Sequence, residues 1–250
     1  MIWRMFSRPV AGLGVLVAQL LRAAHREDLP SLQNQDPSGW FGDPSLPPLR
    51  LVVLGDSSVT APGVEPLDDA FVRRLARHLS DRHYVELVSV AVGGAKVSDV
   101  LRDQLGPALA LEPDLAIVSA GANDALRATP VARFENDFAT IVSRLVENVP
   151  MVGVSGLGDL GMVPRLPTPI RAYVSVRARS FNNAIRRVVA DHPGVYKTRT
   201  WGDFWTPFVT MPDEAFAADM FHASGIGHSL FAASMFPVVD ALLAERDGGS

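Results

Sequence analysis

Cysteine is absent from this sequence of 250 residues. Its absence excludes disulfide frameworks, thiolate zinc sites and cysteine nucleophiles. An excess of basic charge is missing too, because 23 Lys and Arg are outnumbered by 27 Asp and Glu, for a formal net charge of -4. Proteins that bind nucleic acid need a basic surface against the phosphates. The composition therefore argues against nucleic acid as the main partner and favours small-molecule chemistry.

A hydrophobic run long enough for an ordinary transmembrane helix is also lacking near the amino terminus. Residues 9–21 are apolar and lie between arginines, but a helix of this length rises only about 20 Å, against a hydrocarbon core of about 30 Å. Two interpretations remain open. The segment is a membrane-facing anchor or export signal, or it is an amphipathic helix packed on the domain, so that the protein is cytoplasmic or membrane-associated.

The chain divides into three parts by composition. Residues 1–28 form an N-terminal apolar helix, and residues 29–48 are rich in Pro, Ser, Asp and Gly, which is typical of a linker. Residues 49–250 form the main domain. Hydrophobic residues make up 48% and charged residues 20% of the chain, which is ordinary globular usage and predicts a folded core.

In the main domain, short apolar runs alternate with amphipathic stretches. Apolar residues recur at three- and four-residue spacing in the stretches, which predicts helices. Alternating strands and helices predict a parallel sheet covered on both faces, the α/β class. The predicted strands are 49–54, 84–92, 114–120, 150–155 and 194–199, and the predicted helices are 68–81, 96–111, 131–148 and 174–191.

Ligands of such sheets bind at the carboxyl ends of the strands, so the residues after each strand are the first candidates for function. The first strand is followed by Gly55-Asp56-Ser57, the second by Gly93-Gly94 and the third by Gly121-Ala122-Asn123. They supply a hydroxyl, a backbone N–H that a ligand can approach closely, and a side-chain amide. Each of these signals is also typical of an ordinary turn or helix cap.

The carboxyl-terminal part contains Asp219-Met220-Phe221-His222. On a helical turn, residues three apart lie on one side, so the Asp219 carboxylate could bind one imidazole nitrogen of His222 and leave the other free to accept a proton. A serine after the first strand, followed later by aspartate and histidine, is the set of residues that nucleophilic acyl transfer needs.

These four blocks, in this order, resemble those of the SGNH hydrolases, also called the GDSL esterase/lipase family. The resemblance implies a three-layer αβα sandwich of flavodoxin-like topology with a five-stranded parallel sheet. It places Ser57 on the family's nucleophile and Asp219 and His222 on its D-x-x-H block. It implies an oxyanion hole from the backbone N–H groups of Ser57 and Gly94 and the amide of Asn123, and no cofactor or metal.

Two positions depart from the family pattern. Ser58 stands where the family name has Leu, and Ala223 follows the histidine where Pro is common. Neither change removes a reacting group, so the implied activity is a serine esterase that acts on acyl or acetyl esters of lipid or sugar alcohols. Two alternatives remain: an acyltransferase that passes the same acyl group to a sugar or lipid acceptor, and a non-catalytic, membrane-associated binding module.

Other motifs have more ordinary interpretations. Asp56 and His228 are predicted to be structural. Asp219, His222 and His228 could also be the metal ligands of a metal hydrolase, but the sequence contains no H-E-x-x-H motif to support this alternative. Residues 156–161 match the dinucleotide pattern G-x-G-x-x-G, but prolines follow soon after it and the pattern lies after the fourth strand.

The loop 156–169 could cover the site, and its flanking Arg165 and Arg171 suggest that the alcohol portion of the substrate is acidic or phosphorylated. The aromatic and apolar side chains before the histidine block either pack in the core or line an acyl pocket; they are Trp201, Phe204, Trp205, Phe208, Met211, Phe216 and Phe221.

Overall fold

A computed structural model describes residues 28–199 and 205–248. These residues form a six-stranded sheet in the order β1-β3-β2-β4-β5-β6, in which β1 is antiparallel to β3 and the other neighbours are parallel. The α/β class and all five predicted strands are confirmed, and β1 is an addition of only three residues. The strands are β1 Gly39–Phe41, β2 Pro48–Gly55, β3 Tyr84–Ser89, β4 Leu115–Ser119, β5 Met151–Val154 and β6 Val195–Lys197.

Helices connect the parallel strands. The helical stretch α3 contains a π-helical turn, Val100–Gln104, between Val97–Asp99 and Leu105–Ala110, and short 3-10 turns lie at Leu67–Asp69 and Leu160–Met162. The remaining helices are α1 Ser57–Thr60, α2 Phe71–Leu79, α4 Ala122–Leu126, α5 Val131–Val146, α6 Thr168–Ala190, α7 Thr206–Thr210, α8 Pro212–Ala215 and α9 Gly225–Gly248.

The sheet is buried on both faces, which explains why its strands are apolar without a break. Alternate residues of a strand point to opposite faces. In β2, Val52 and Leu54 pack with helices α3, α5 and α6, whereas Leu51 and Val53 pack with helices α2 and α9. All four side chains are fully buried. The three-layer αβα arrangement follows from these two cores.

The segment predicted as a linker contributes to the sheet and to the turn that follows β2. Strand β1 lies within it, and Trp40 stacks on Tyr84 of β3. The side-chain amide of Gln35 donates to the carbonyl oxygens of Ala61 (2.8 Å) and Val64 (3.1 Å). Residues 29–48 therefore pack against the domain that they precede. The apolar segment 9–21, and with it the predicted membrane association, lies outside the described residues.

Helix α9 was not predicted as a helix. It is long and apolar enough to cross a membrane by length and composition, and it is the one helix in the described residues of which this is true. Its buried residues, such as Val239 and Leu242, belong to the core that faces α2 and the sheet. Core helices of soluble proteins meet the same criteria, so the helix does not establish a location.

The strand order reverses at one point along the carboxyl edge of the sheet. The chain passes from β2 to β3 on one side and then to β4 on the other, so the carboxyl end of β2 is the point where the strand order reverses. Crevices at such a point are the usual ligand sites of open α/β sheets.

Candidate active site

Ser57 lies at this reversal point as the first residue of helix α1. The preceding Asp56 caps the helix, since its carboxylate accepts the backbone N–H of Ser58 at 2.9 Å. The turn needs glycine at position 55, because a Cβ there would lie 2.0 Å from the carbonyl oxygen of Ser119 on β4. This close crossing brings the end of β2 against the end of β4 and leaves the Ser57 hydroxyl partly exposed at the edge.

Gly94 and Asn123 lie at the two neighbouring strand ends. Gly94 adopts a positive φ of 81° in the turn after β3. The side-chain amide of Asn123 donates to the carbonyl oxygen of Ala95 at 3.2 Å and makes a longer contact, 3.4 Å, to the carboxylate of Asp56. Asn123 therefore links the residue next to Gly94 with the residue next to Ser57, and the three predicted positions converge.

Two backbone N–H groups at this edge have no acceptor. Within residues 28–199 and 205–248, neither the N–H of Ser57 nor that of Gly94 donates a hydrogen bond. Backbone N–H groups in folded proteins are nearly always paired with protein or water. Two unpaired donors beside an amide are a ready site for an oxygen that carries negative charge.

Asp219 and His222 lie together in the loop between α8 and α9. The carboxylate of Asp219 is buried, and one of its oxygens lies 2.6 Å from Nδ1 of His222. Its other oxygen accepts the backbone N–H groups of Phe221 and His222, each at 3.0 Å. Burial raises the pKa of Asp219, but the hydrogen bonds from His222 and Phe221 outweigh it and lower the pKa below its ordinary value. An ionised Asp219 holds the Nδ1–H tautomer of His222 and leaves Nε2 to accept a proton.

The loop that carries this pair is a turn closed by its own hydrogen bonds rather than a helix. Phe216 and Ala223 form an isolated β-bridge, and the N–H of Ala217 donates to the carbonyl oxygen of His222 at 2.7 Å. Met220 adopts the left-handed conformation, with φ 55°. Its carbonyl oxygen accepts the N–H of Arg165 at 3.0 Å, which ties this loop to the loop after β5.

His222 lies near Ser57 without bonding to it. Phe221 and Ala223, on either side of His222, line one cleft with Asp56, which precedes Ser57. Burial raises the pKa of the Asp56 carboxyl, and the charge of His222 is the smallest of the effects that lower it. In the described part of the chain no hydrogen bond joins Ser57 to His222. Catalytic hydrogen bonds are often long in structures without substrate.

A cleft opens beside these residues, with an empty volume of about 800 Å³ that includes space open to solvent. Four of the predicted aromatic residues line it, together with Phe71 of α2 and Phe231 of α9, which the sequence did not indicate. The four are Trp205, Phe208, Phe216 and Phe221. Of the other three, Met211 is exposed on the surface, and Trp201 and Phe204 lie outside the described residues.

The remaining predicted candidates have structural partners. Nδ1 of His228 accepts the backbone N–H of Phe71 at 3.1 Å, and burial lowers the pKa of His228 to about 3. The guanidinium of Arg171 donates to the carbonyl oxygens of Leu166 (2.7 Å) and Pro164 (2.5 Å), so it is committed to its own loop. Residues 156–161 run through the cleft wall into the 3-10 turn Leu160–Met162 and do not open a long helix.

The GDSL-like lipase/acylhydrolase family model matches residues 53–230. A GDSL-like esterase of Mycobacterium tuberculosis is 27% identical over 206 residues, which are 79% of this chain and 64% of that protein; the chain thus spans less than two thirds of its relative.

Solved structures of low identity share the fold. A psychrotrophic esterase from a Pseudoalteromonas species has a TM-score of 0.61 at 17% identity, over 78% of this chain and 98% of that one. A lipase/acylhydrolase from Enterococcus faecalis has a TM-score of 0.61 at 22% identity, over 77% and 96%. An acetylxylan esterase from Geobacillus stearothermophilus has a TM-score of 0.58 at 16% identity, over 80% and 95%.

Proposed function

Because this chain belongs to the GDSL-like lipase/acylhydrolase family, we propose that it is a serine esterase that hydrolyses carboxylic esters through an acyl-enzyme on Ser57. One observation carries the assignment of residues. A histidine held by a buried carboxylate lies beside the same cleft as a serine whose own N–H, and that of Gly94, have no acceptor in the described part of the chain. This arrangement supplies a base, a nucleophile and donors for a developing negative charge.

The reaction proceeds in two halves. Nε2 of His222 takes the proton of Ser57 as Oγ bonds to the ester carbonyl carbon, and the carbonyl π electrons move to its oxygen. The tetrahedral intermediate then expels the alcohol, which receives that proton from His222, and an acyl-enzyme remains. Water, deprotonated by His222, attacks the acyl-enzyme. Collapse of the second intermediate releases the carboxylic acid and returns the proton to Ser57.

Asp219 orients the base and stabilises its charged form. Its hydrogen bond to Nδ1 keeps Nε2 free in the resting state, and its negative charge stabilises the imidazolium that forms when His222 takes the proton. The two backbone N–H groups that it accepts hold the carboxylate in place. The same residue therefore builds the loop and serves the reaction.

The oxyanion hole consists of the N–H groups of Ser57 and Gly94 and the amide of Asn123. The amide already donates to Ala95, which orients it, while its 3.4 Å contact to Asp56 is long for a hydrogen bond. The N–H of the Asn123 amide that makes this long contact is the one that donates to the substrate oxyanion. Donors that are oriented before the reaction stabilise the transition state without the cost of reorganisation.

The test is hydrolysis of a ladder of p-nitrophenyl esters, from acetate to palmitate, by the full chain and by Ser57→Ala. We expect activity in the wild type and none above background in Ser57→Ala, with unchanged circular dichroism. A p-nitrophenyl alkylphosphonate should add one phosphonyl group to the wild type, located on Ser57 by mass spectrometry. Activity that survives in Ser57→Ala would overturn the assignment. Labelling of Ser57 without hydrolysis of any ester would indicate acyl transfer to a specific acceptor instead.

A further inference from the structure

We propose that the cleft beside Ser57 binds an apolar acyl chain several carbons longer than acetyl, so that esters of such acids, rather than acetyl esters, are the preferred substrates. The inference rests on the proposed serine esterase function and adds the class of acyl group. An acetylxylan esterase from Geobacillus stearothermophilus shares the fold, so the fold does not decide between short and longer acyl groups.

The position of the cleft fits an acyl subsite. Several of its lining residues are neighbours in sequence of Ser57, Asn123 or His222, so the cleft starts where the ester carbonyl would lie. These neighbours are Asp56, Ser58, Ala122, Phe221 and Ala223.

The walls beyond that point are apolar. They come from the loop after β5, from the segment around α7 and α8, and from helices α2 and α9, so they offer more apolar side chains than an acetyl group could contact. Several of these side chains are almost fully buried and pack on one another, so the walls are formed before any ligand binds. The main wall residues are Leu157, Leu160, Trp205, Phe208, Phe216 and Phe231.

Two serines at the cleft floor bond to each other. Oγ of Ser58 lies 2.8 Å from Oγ of Ser119 and 3.3 Å from the carbonyl oxygen of Ser119. Because these hydroxyls satisfy one another, they do not require a polar group on the ligand. Ser58 is also the position at which the family name has Leu.

The other carboxylate and hydroxyl groups of the lining have partners as well. The carboxylate of Asp159 accepts the N–H of Gly161 at 2.9 Å and the hydroxyl of Ser175 at 3.0 Å. The hydroxyl of Ser155 donates to the carbonyl oxygen of Gly156 at 3.2 Å. A pocket whose carboxylates and hydroxyls are already bonded within the protein gains most from an apolar occupant.

Glycine 158 provides a way to fill the cleft without disturbing the backbone. It lines the wall, its φ is ordinary, and among the described residues a Cβ added there would meet only the ring of Trp205, at 3.9 Å. A leucine at this position occupies cleft space. Gly106 is the matched control, because it is exposed on α3 and a Cβ there meets nothing within 4 Å.

The experiment compares kcat/KM for p-nitrophenyl acetate, octanoate and palmitate in the wild type, Gly158→Leu and Gly106→Leu. Burial of each methylene contributes up to about fourfold in affinity. We therefore expect the wild type to prefer octanoate over acetate by at least about tenfold. Gly158→Leu should lose at least about tenfold on octanoate while acetate changes by less than about threefold. Gly106→Leu should keep the wild-type ratio.

A second measurement uses the wild type alone and decides the matter if Gly158→Leu does not fold. The rates at which p-nitrophenyl ethylphosphonate and octylphosphonate inactivate Ser57 should differ by at least about tenfold in favour of octyl. A wild-type preference for acetate, equal losses on acetate and octanoate in Gly158→Leu, or faster labelling by the ethyl compound would overturn the acyl-chain proposal. Absence of both hydrolysis and labelling would instead contradict the serine esterase function itself.

Discussion

The two halves of the candidate site are built differently. Ser57, Gly94 and Asn123 follow strands whose side chains are buried in two cores, so their positions depend on the packing of the whole sheet. Asp219 and His222 lie in the loop between the short helix α8 and the long helix α9, and hydrogen bonds within the loop hold them together. The strand edge is therefore rigid because of distant residues, whereas the loop is ordered by near neighbours.

The difference predicts at which residues a substitution can lower activity without lowering the stability of the fold. At the strand edge, a polar side chain can be removed while the sheet still holds the backbone in place. In the loop, one carboxylate both closes the turn and holds His222, so a change there affects the fold of the loop and the proposed base together.

Asp219→Asn should have the largest effect. The amide is nearly isosteric, but it carries no charge to stabilise the imidazolium and no longer holds the Nδ1–H tautomer of His222, so we expect kcat to fall by about 10⁴-fold. Steady-state kinetics with the best ester of the ladder measures this loss. Asp213→Asn is the control, since Asp213 is exposed on α8, and its kcat should stay within about twofold of the wild type. A loss of less than about tenfold in Asp219→Asn would show that this carboxylate is not the partner of the base.

Asn123→Ala removes one oxyanion donor from the strand edge, and we expect a fall in kcat of about 10²- to 10³-fold. The sheet should hold the backbone, so the free energy of unfolding should decrease by only about 1 kcal/mol for the lost hydrogen bonds. Kinetics and urea denaturation on the same samples separate the two effects. Asn136→Ala, an exposed change within α5, should lower neither quantity. Unfolding of the variant at 25 °C would contradict the idea that the packing of the whole sheet, rather than Asn123, fixes the backbone at the strand edge.

Gln35→Ala tests whether residues 29–48 belong to the strand edge. The carbonyl oxygens of Ala61 and Val64 would lose their side-chain donor at buried residues next to helix α1. We expect the free energy of unfolding to fall by about 1 to 3 kcal/mol, as measured by urea denaturation. Gln33 is exposed, so Gln33→Ala should change it by less than about 0.5 kcal/mol. Equal effects of the two variants on the free energy of unfolding would show that residues 29–48 contribute no more to stability than a linker does.

His228 makes the loop side of the molecule sensitive to acid. Burial lowers its pKa to about 3 in the folded state, against an ordinary value of about 6.5 in the unfolded chain. Between these values the unfolded state binds more protons, so stability is lost as the pH falls below about 6.5, by up to about 1.4 kcal/mol per pH unit. Above about pH 6.5, His228 no longer changes stability with pH, because it binds no proton in either the folded or the unfolded state.

Urea denaturation at pH 7.0 and pH 5.5 measures this dependence. His228→Asn can still accept the N–H of Phe71 but does not titrate, so its stability should be lower at pH 7.0 and should depend less on pH. An equal pH dependence in wild type and variant would assign the acid sensitivity to other groups whose pKa is lower in the folded state, such as His83, whose pKa burial also lowers.

Most of the fold could be predicted because strand and helix patterns are local. All five predicted strands are present, with ends that differ by a few residues, and the resemblance to the SGNH hydrolases is confirmed by the family match. Strand β1 was missed because three residues show no periodicity. Helix α6 begins at Thr168, within the loop predicted from its prolines, since proline is compatible with the first turn of a helix. Helix α9 was missed because its apolar residues do not form a single stripe.

The candidate site divides in the same way. The sequence was sufficient to select Ser57, Gly94, Asn123, Asp219 and His222, and their catalytic roles stay predictions until the variants are measured. It also indicated that Asp56 and His228 are structural, and both have structural partners in the fold. It did not indicate the mutual bonding of Ser58 and Ser119, because those residues are 61 positions apart.

The sequence was therefore enough to predict the layers, the order of the strand ends and the candidate reactive side chains, since each depends on short-range pattern and residue chemistry. The cleft, by contrast, depends on tertiary packing. Its walls come from α2, the loop after β5, the segment around α7 and α8, and α9, and the space between them depends on how these distant pieces pack. No local pattern encodes that volume, so the length of acyl chain that fits follows from packing rather than from any motif.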